Sequence, residues 1–295
     1  MEFPPCSEIS TMALDDNDLL YHYTTPDGLI GIVENRTLWA TDVFYLNDSK
    51  EFALGIQIAR DYMRDLKDRE NSECTVGRLE WLMSQFKDIG PLRKKTVYVS
   101  SLSVEDDLLS QWRAYCGGGG FAIGFKVGSL KELAAVQGFV LERCIYEPGE
   151  QNQIISEAVD SIAKPWLNSN APWPEQPGEG PRFDACNKLV DELSRLSPIL
   201  KNQAFHEENE YRLISEPSAH FVEGQKKFRA QRGLVVPYRD FKLNNSDLWR
   251  QVRAVVGPTP HPEQSKASVY ALLRGRDKNG CAHDVQITEC SYREW

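Results

Sequence analysis

The order of short apolar runs and amphipathic segments along the chain is the feature that most constrains its fold. Short runs rich in β-branched and aromatic residues recur at irregular intervals, and such runs predict strands. They comprise residues 19–23, 37–40, 97–102, 121–125, 211–214, 234–237, 252–257 and 285–287. The last third of the chain is therefore predicted to be rich in strands.

Amphipathic segments separate these runs, and their apolar residues recur at steps of three and four, as in helices that pack against a core. The clearest begins with Asp48 and Glu51 in a capping-box arrangement, and its apolar face comprises Phe52, Ile56, Ala59, Met63 and Leu66. Other helices are predicted near residues 29–33, 79–86, 184–202 and 262–273, and one near 108–115 that Ser103 and Asp106 could cap. Because no regular βαβ series appears, we predict an α+β fold with a mostly antiparallel or split mixed sheet flanked by helices.

We expect one composite α+β domain over residues 18–295, after a polar N-terminal tail over residues 1–17. Residues 165–182 are rich in proline and tryptophan. This segment predicts an extended surface loop or lid rather than a domain boundary.

Composition excludes several classes of protein. The chain has 34 Lys and Arg against 43 Asp and Glu, a net charge of −9, which argues against a broadly basic nucleic-acid-binding surface. No apolar run approaches the roughly 18 residues of a membrane span, and the N-terminus lacks the pattern of a signal peptide. The seven cysteines never form Cys-x-x-Cys, which predicts free thiols. The expected location is the cytoplasm, with no membrane partner.

His22 is the first candidate for a functional side chain, because it lies in a predicted strand between Tyr21 and Tyr23. Side chains two residues apart share one face of a strand, so His22 and Thr24 could together bond a ribose hydroxyl or an amide. A histidine whose hydrogen bonds are satisfied within the core is the alternative.

The second candidate is the segment from Glu208 to Arg212. As a strand it would place Glu208, Glu210 and Arg212 on one face, where two carboxylates repel and one pKa rises unless Arg212 or a ligand cation compensates. Such a pair could orient a sugar hydroxyl, stabilise an oxocarbenium-like centre, or bind a divalent metal together with Asp48. An ordinary ion pair on a solvated edge strand is the alternative.

Two further segments could border a ligand. Ser101 precedes a predicted helix with Tyr115, which is followed by the glycines 117–120, whose backbone could approach a nucleotide closely. A flexible turn is the alternative. Asn47 could contact a ligand or serve only in a turn that leads into a helix.

Taken in order, these segments resemble a bacterial family catalogued as domain of unknown function 2971. The resemblance extends over roughly residues 19–258 and rests on the segments 20–24, 37–40, 46–48, 101–103, 112–115, 119–125, 208–212, 236–237 and 255–258.

A second, more distant resemblance links the chain to the ADP-ribosyltransferases. His22 in a strand, followed by Thr24 and a short helix, is similar to their first motif, and Glu208-Asn209-Glu210 resembles their Glu-x-Glu motif. The resemblance implies an ADP-ribosyltransferase-like fold and NAD as the substrate, without a metal. It implies that His22 holds ribose hydroxyls, that Glu210 is the catalytic carboxylate and that Glu208 orients the substrate.

The binding residues that this resemblance suggests are His22, Tyr23, Thr24, Trp39, Asn47, Ser101, Tyr115 and Arg212. Tyr45 and Tyr115 compete for the position that stacks on nicotinamide.

The leading hypothesis is therefore an NAD-dependent ADP-ribosyltransferase or NAD-cleaving enzyme, with the role of a bacterial toxin or phage-defence effector. Its acceptor would be a macromolecule, and no motif chooses between protein and nucleic acid or sets the oligomeric state. One alternative is a non-catalytic nucleotide-binding or protein-interaction module. Another is a metal-dependent nuclease or phosphoesterase.

Overall fold

A computed structural model of the chain describes residues 14–46, 49–116, 119–170, 180–219, 226–231, 233–276 and 283–290. The strands are β1 (Leu19–Thr24), β2 (Thr37–Asp42), β3 (Lys95–Thr96), β4 (Tyr98–Ser103), β5 (Phe121–Lys126), β6 (Phe139–Arg143), β7 (Glu210–Ser215), β8 (Ser218–Ala219), β9 (Lys227–Gln231), β10 (Leu234–Lys242), β11 (Arg253–Val256) and β12 (Asp284–Ile287). The helices are α1 (Pro26–Asn35), α2 (Ser49–Arg69), α3 (Glu73–Gln85), α4 (Leu109–Tyr115), α5 (Val127–Gln137), α6 (Pro148–Leu167), α7 (Pro181–Leu196), α8 (Ser246–Arg250) and α9 (Pro262–Arg276).

Local sequence explains several of these boundaries. At the start of α1, the Thr25 hydroxyl accepts a hydrogen bond from the Gly28 backbone N–H, and Pro26 occupies the first turn, where its missing N–H is not needed. Helix α5 ends at Gly138, whose φ of 68° lies in the left-handed region that glycine adopts without strain.

The large sheet confirms the predicted α+β class. Its strands follow the order β12-β11-β5-β1-β4-β2-β10-β9, while β7 pairs with β4 and β6 pairs with β7. The pairing of β11 with β12 is parallel, and the other pairs within this sheet are antiparallel. Helices cover both faces, so the sheet is open and flanked as predicted.

The two faces of the sheet carry separate cores. Leu20, Phe125 and Phe241 belong to one core, to which α1, α5, α8 and α9 contribute apolar side chains. On the opposite face, Val99 and Ile214 pack with α2, α3, α6 and α7. We call this second face the site face, because strand register also places Tyr21, Ser103 and Glu210 on it.

The two edges of strand β4 are paired differently. On the second edge, β7 pairs with β4 continuously from Val99 to Ser103. On the first edge, β1 pairs only at Ser103 and β2 pairs only at Tyr98 and Val99. The two neighbours therefore diverge beside residues 100–102, and we call this opening between β1 and β2 the strand gap.

The structure differs from the sequence predictions in several segments. Helix α6 continues through Pro165 to Leu167, and thus occupies the first part of the predicted loop, because Trp166 and Leu167 are buried in the core. Residues 171–179 of that loop, the cap residue Asp48 and glycines 117–118 lie outside the described residues. The elements that were not predicted are β3, α5, β6, α6, β8, β9 and α8.

The cap predicted for α4 is wrong. The Ser103 hydroxyl donates to the Glu208 carbonyl and accepts from the Glu105 N–H, so it is used before the helix begins at Leu109. At the other end of the chain, the four described residues of the predicted N-terminal tail contact the domain, since the Gly128 N–H donates to the Asp16 carbonyl at 3.0 Å. Among the helices that the structure describes, none is both long enough and apolar enough to cross a membrane.

Candidate active site

A small, partly open cavity of about 40 Å³ lies beside the strand gap. Strands β1, β4 and β7, helix α4 and the residues before β7 contribute its lining. Six of the residues singled out from the sequence line it, namely His22, Tyr23, Ser101, Tyr115, Glu208 and Glu210. The structure thus brings together segments from distant parts of the chain.

Other predicted residues lie away from this cavity. The side chain of Thr24 packs against α1, since a Cβ atom built on Gly28 would lie 2.0 Å from its hydroxyl oxygen. Trp39 is 43% exposed on β2 and does not line the cavity. Of the two competing tyrosines, Tyr115 lines the cavity and Tyr45 does not. Asn47 lies outside the described residues.

The two glutamates meet at a buried ammonium group that sequence analysis missed. Lys201 is buried, and its Nζ donates to Glu208 Oε2 and, at 2.5 Å, to Glu210 Oε2. Arg212 holds the same Glu210 carboxylate through two hydrogen bonds, Nε to Oε1 at 2.7 Å and Nη2 to Oε2 at 3.0 Å. The only sequence signal for Lys201 is a single charge at the end of the apolar segment 196–200.

This cluster keeps Glu210 ionised. Burial alone would raise the pKa of the Glu210 carboxyl, but the charges and hydrogen bonds of Arg212 and Lys201 outweigh burial and lower that pKa to about 2. Burial likewise disfavours the Lys201 ammonium, yet the charge of Glu210 raises the pKa of Lys201 above its usual value. Two carboxylates and two cations therefore form a buried cluster with no net charge.

The prediction that Glu208, Glu210 and Arg212 share one strand face is wrong for Glu208. Glu208 ends a 3-10 helix (Gln203–Glu208), and Asn209 then adopts a left-handed conformation with φ of 39°. Strand β7 begins only at Glu210, whose N–H donates to the Tyr146 hydroxyl at 2.9 Å. The kink at Asn209 turns the chain, so Glu208 reaches Lys201 from outside the sheet.

His22 is held in the strand gap by the backbone of β4. Its Nδ1 lies 2.9 Å from the Ser101 carbonyl oxygen, which can only accept, so Nδ1 carries the proton. Burial is the main cause that lowers the pKa of His22, and the charge of Arg229 adds to it, while the bond to Ser101 opposes both. The neutral imidazole therefore keeps Nε2 as a hydrogen-bond acceptor at neutral pH.

Helix α4 closes the cavity on a third side. The Tyr23 hydroxyl donates to the Glu105 carbonyl and accepts from the Leu108 N–H, which fixes the start of this helix beside β1. Tyr115, at its end, is 41% exposed, and the pKa of its phenol is raised by burial and then by the charges of Glu210 and Glu208. An aromatic ring therefore borders the carboxylates while remaining accessible.

Metal binding receives little support from this geometry. Among the described residues there is no group of three or more His, Cys, Asp or Glu side chains that could hold a metal ion. Lys201 already lies between Glu208 and Glu210, where a bridging cation would bind. Asp48, suggested as a third ligand, is outside the described residues.

Comparison with known proteins supports the family resemblance seen in the sequence. Residues 111–213 match the model of a family described as protein of unknown function (DUF2971). The matched segment includes Tyr115, Lys201 and the stretch from Glu208 to Arg212, whereas His22 lies before it. No curated protein and no solved structure matches the chain.

Proposed function

We propose that the chain binds NAD at the strand gap and cleaves the bond between nicotinamide and ribose. ADP-ribose would then pass to a macromolecular acceptor or to water. The observation that carries the proposal is that His22 of β1 and Glu210 of β7 line one cavity, although they lie far apart in the sequence.

The charge of Glu210 fits the chemistry of this bond. Loss of nicotinamide leaves positive charge on the anomeric carbon of the ribose, and a carboxylate held ionised in a site with little water stabilises that charge. The lowered pKa of Glu210 keeps it ionised across the physiological pH range. In this proposal Glu208 orients the ribose, and Lys201 and Arg212 position Glu210.

His22 and Tyr115 supply complementary contacts. The unprotonated Nε2 of His22 can accept a hydrogen bond from a ribose hydroxyl, and the exposed ring of Tyr115 offers a face for nicotinamide. A cavity of about 40 Å³ holds a few water molecules but no dinucleotide. We therefore assign only the nicotinamide-side ribose hydroxyls to the cavity, with the rest of NAD lying along the open side of the strand gap.

Release of free nicotinamide from labelled NAD tests the proposal, with cell extract added as a source of acceptor. We expect turnover by the wild type and a loss of about two to three orders of magnitude in Glu210→Gln. Glu192→Gln is the matched control, because Glu192 pairs with Arg195 on the outside of α7, away from the cavity. All variants are compared below their unfolding temperatures.

Two results would contradict the proposal at different levels. Equal turnover by folded Glu210→Gln and by wild type would refute the catalytic role of Glu210. A wild-type protein that neither binds nor consumes NAD, even with extract, would refute the function itself. The proposal includes a cytoplasmic toxin or phage-defence role, which growth arrest by the wild type but not by Glu210→Gln would support.

A non-catalytic nucleotide-binding module is the second candidate. The observation in its favour is that both oxygens of Glu210 already accept hydrogen bonds from Lys201 and Arg212. Such a carboxylate can stabilise structure without taking part in a reaction. NAD binding without release of nicotinamide, unchanged in folded Glu210→Gln, would favour this candidate.

A further inference from the structure

A second cluster of polar and aromatic side chains lies on the site face, outside the cavity. Arg229 of β9 places its guanidinium carbon 5.1 Å from the ring centroid of Trp39 and 5.8 Å from that of Tyr238. The two rings are 4.9 Å apart. We call these three residues the aromatic–arginine cluster.

Among the described residues, the guanidinium of Arg229 has no counter-ion. Within the described residues, no carboxylate lies within ion-pair distance of it, and Asp240 on the neighbouring strand is paired with Lys227 at 2.5 Å. Its Nη2 donates to the hydroxyl of Thr41 at 2.8 Å and to the Gln231 side chain at 3.1 Å. Its Nε is buried without a hydrogen-bond partner, and neither Nε nor Nη1 donates a hydrogen bond to any residue that the structure describes.

This arrangement is suited to an anion attached to a planar ring. A partly buried cation without a counter-ion is unfavourable, and burial lowers the pKa of Arg229, so a bound anion would restore the missing interaction. Guanidinium groups bind phosphate well, and the 43% of Trp39 that remains exposed can stack against a base.

The cluster is close to the candidate active site. Thr41 pairs with both Val99 and Tyr238, so strand register places the cluster on the same face as Ser101 and Glu210. After burial, the charge of Arg229 is a further cause of the lowered pKa of His22, which lies in the strand gap. One extended ligand could therefore contact both places.

We propose that the aromatic–arginine cluster binds the phosphate-bearing part of a nucleotide, with phosphate on Arg229 Nη1 and the base against Trp39. This inference deepens the proposed function and rests on it for the identity of the nucleotide as NAD. It requires no catalysis, so the two can fail separately.

Calorimetric titration with ADP-ribose and with adenosine, which lacks phosphate, tests the proposal. We expect Arg229→Gln to weaken ADP-ribose binding about 10- to 100-fold, because it removes a hydrogen bond between two charged groups. The same variant should leave adenosine binding unchanged. Trp39→Ala should weaken binding of both ligands. Arg250→Gln is the control, because Arg250 pairs with Asp247 on the exposed side of α8 and its replacement should leave both affinities unchanged.

The outcomes separate the inference from the proposed function. Suppose that ADP-ribose binding depends on Arg229 but the protein releases no nicotinamide from NAD. This result would support the inference and refute the proposed enzymatic activity. Unchanged ADP-ribose affinity in folded Arg229→Gln would overturn the inference, whether or not nicotinamide is released. Equal losses for ADP-ribose and adenosine would also overturn it, because the phosphate would then make no contact with Arg229.

Discussion

Replacing Lys201 by Met removes the ammonium that joins Glu208 and Glu210 and keeps an unbranched side chain in its place. Two carboxylates and Arg212 then remain, so one buried negative charge loses its counter-charge. We expect this change to lower stability strongly at neutral pH. We also expect the loss to depend on pH in a way that no packing defect would imitate.

The magnitude follows from burial and from the pKa of Glu210. Breaking a buried ion pair by removing one partner costs about 3–5 kcal/mol. Because Arg212 keeps its hydrogen bonds to Glu210, we expect Lys201→Met to cost about 3 kcal/mol, at the lower end of this range. A carboxyl whose pKa falls from 4.5 to about 2 on folding contributes about 3 kcal/mol at neutral pH, which is of the same order. For a chain of 295 residues the corresponding fall in Tm is about 5 °C.

The sign of the pH dependence is set by Glu210. In the wild type its lowered pKa contributes stability above pH 4.5, and this stability is lost as the pH falls towards 2. In Lys201→Met, a carboxylate without its counter-charge has a raised pKa. Its protonation at acid pH then relieves the repulsion between the carboxylates of Glu208 and Glu210. The difference in Tm between the two proteins should therefore be largest at about pH 7.5 and should become smaller below about pH 5.

The assay is thermal unfolding monitored by circular dichroism across this pH range. Lys164→Met is the matched control, because Lys164 pairs with Asp160 on the exposed side of α6 and its loss should cost no more than about 0.5 kcal/mol. A fall in Tm for Lys201→Met no larger than that of the control would refute the reasoning. A difference in Tm between wild type and Lys201→Met that becomes larger as the pH falls would also refute it.

Two further predictions concern glycine packing and cysteine burial. Gly124→Ala should cost about 1–3 kcal/mol, because its Cβ would lie 2.6 Å from the Tyr21 ring. Gly31→Ala in α1 should stabilise the protein slightly, because among the described residues no atom lies within 4 Å of the new Cβ. Chemical denaturation would distinguish the two variants, and equal effects would contradict the packing argument. Burial raises the pKa of Cys116 to about 12, so at about pH 8 iodoacetamide should label the partly buried Cys74 well before Cys116. Mass spectrometry would follow the labelling, and faster labelling of Cys116 would contradict its burial.

Much of the fold was predictable because it depends on local periodicity. The apolar face predicted for α2 is confirmed where its side chains are described, since Ile56, Ala59 and Met63 are all buried. The runs that predicted strands correspond to β1, β2, β4, β5, β7, β10, β11 and β12. The segment 127–167 was largely missed because polar residues interrupt its apolar pattern, and α5 follows β5 with no intervening turn residue.

The candidate site was only half predictable, for a physical reason. The expectation that Arg212 or a ligand cation compensates the two carboxylates is confirmed for Arg212, which contacts Glu210, but the second cation is Lys201 of the chain itself, which was not predicted. The contact between Glu208 and Lys201 depends on the kink at Asn209, a non-glycine residue in the left-handed region. Contacts that depend on such a turn are set by tertiary structure rather than by local propensity.

The surroundings of the buried cations separate two kinds of buried charge in this protein. Arg78 donates to the carbonyls of Trp166, Leu167 and Ser169, so its charge completes the end of α6, and a structural role accounts for it. The carboxylates that Lys201 joins instead line a partly open cavity.

Stability alone is a poor reason for such a cluster, because apolar residues of similar volume often serve as well as a buried ion pair or better. Strongly shifted pKa values beside a cavity are typical of sites that bind or react. These energetics favour a function for the Glu208–Lys201–Glu210 cluster. They also make turnover, rather than stability, the measurement on which Glu210→Gln should be judged.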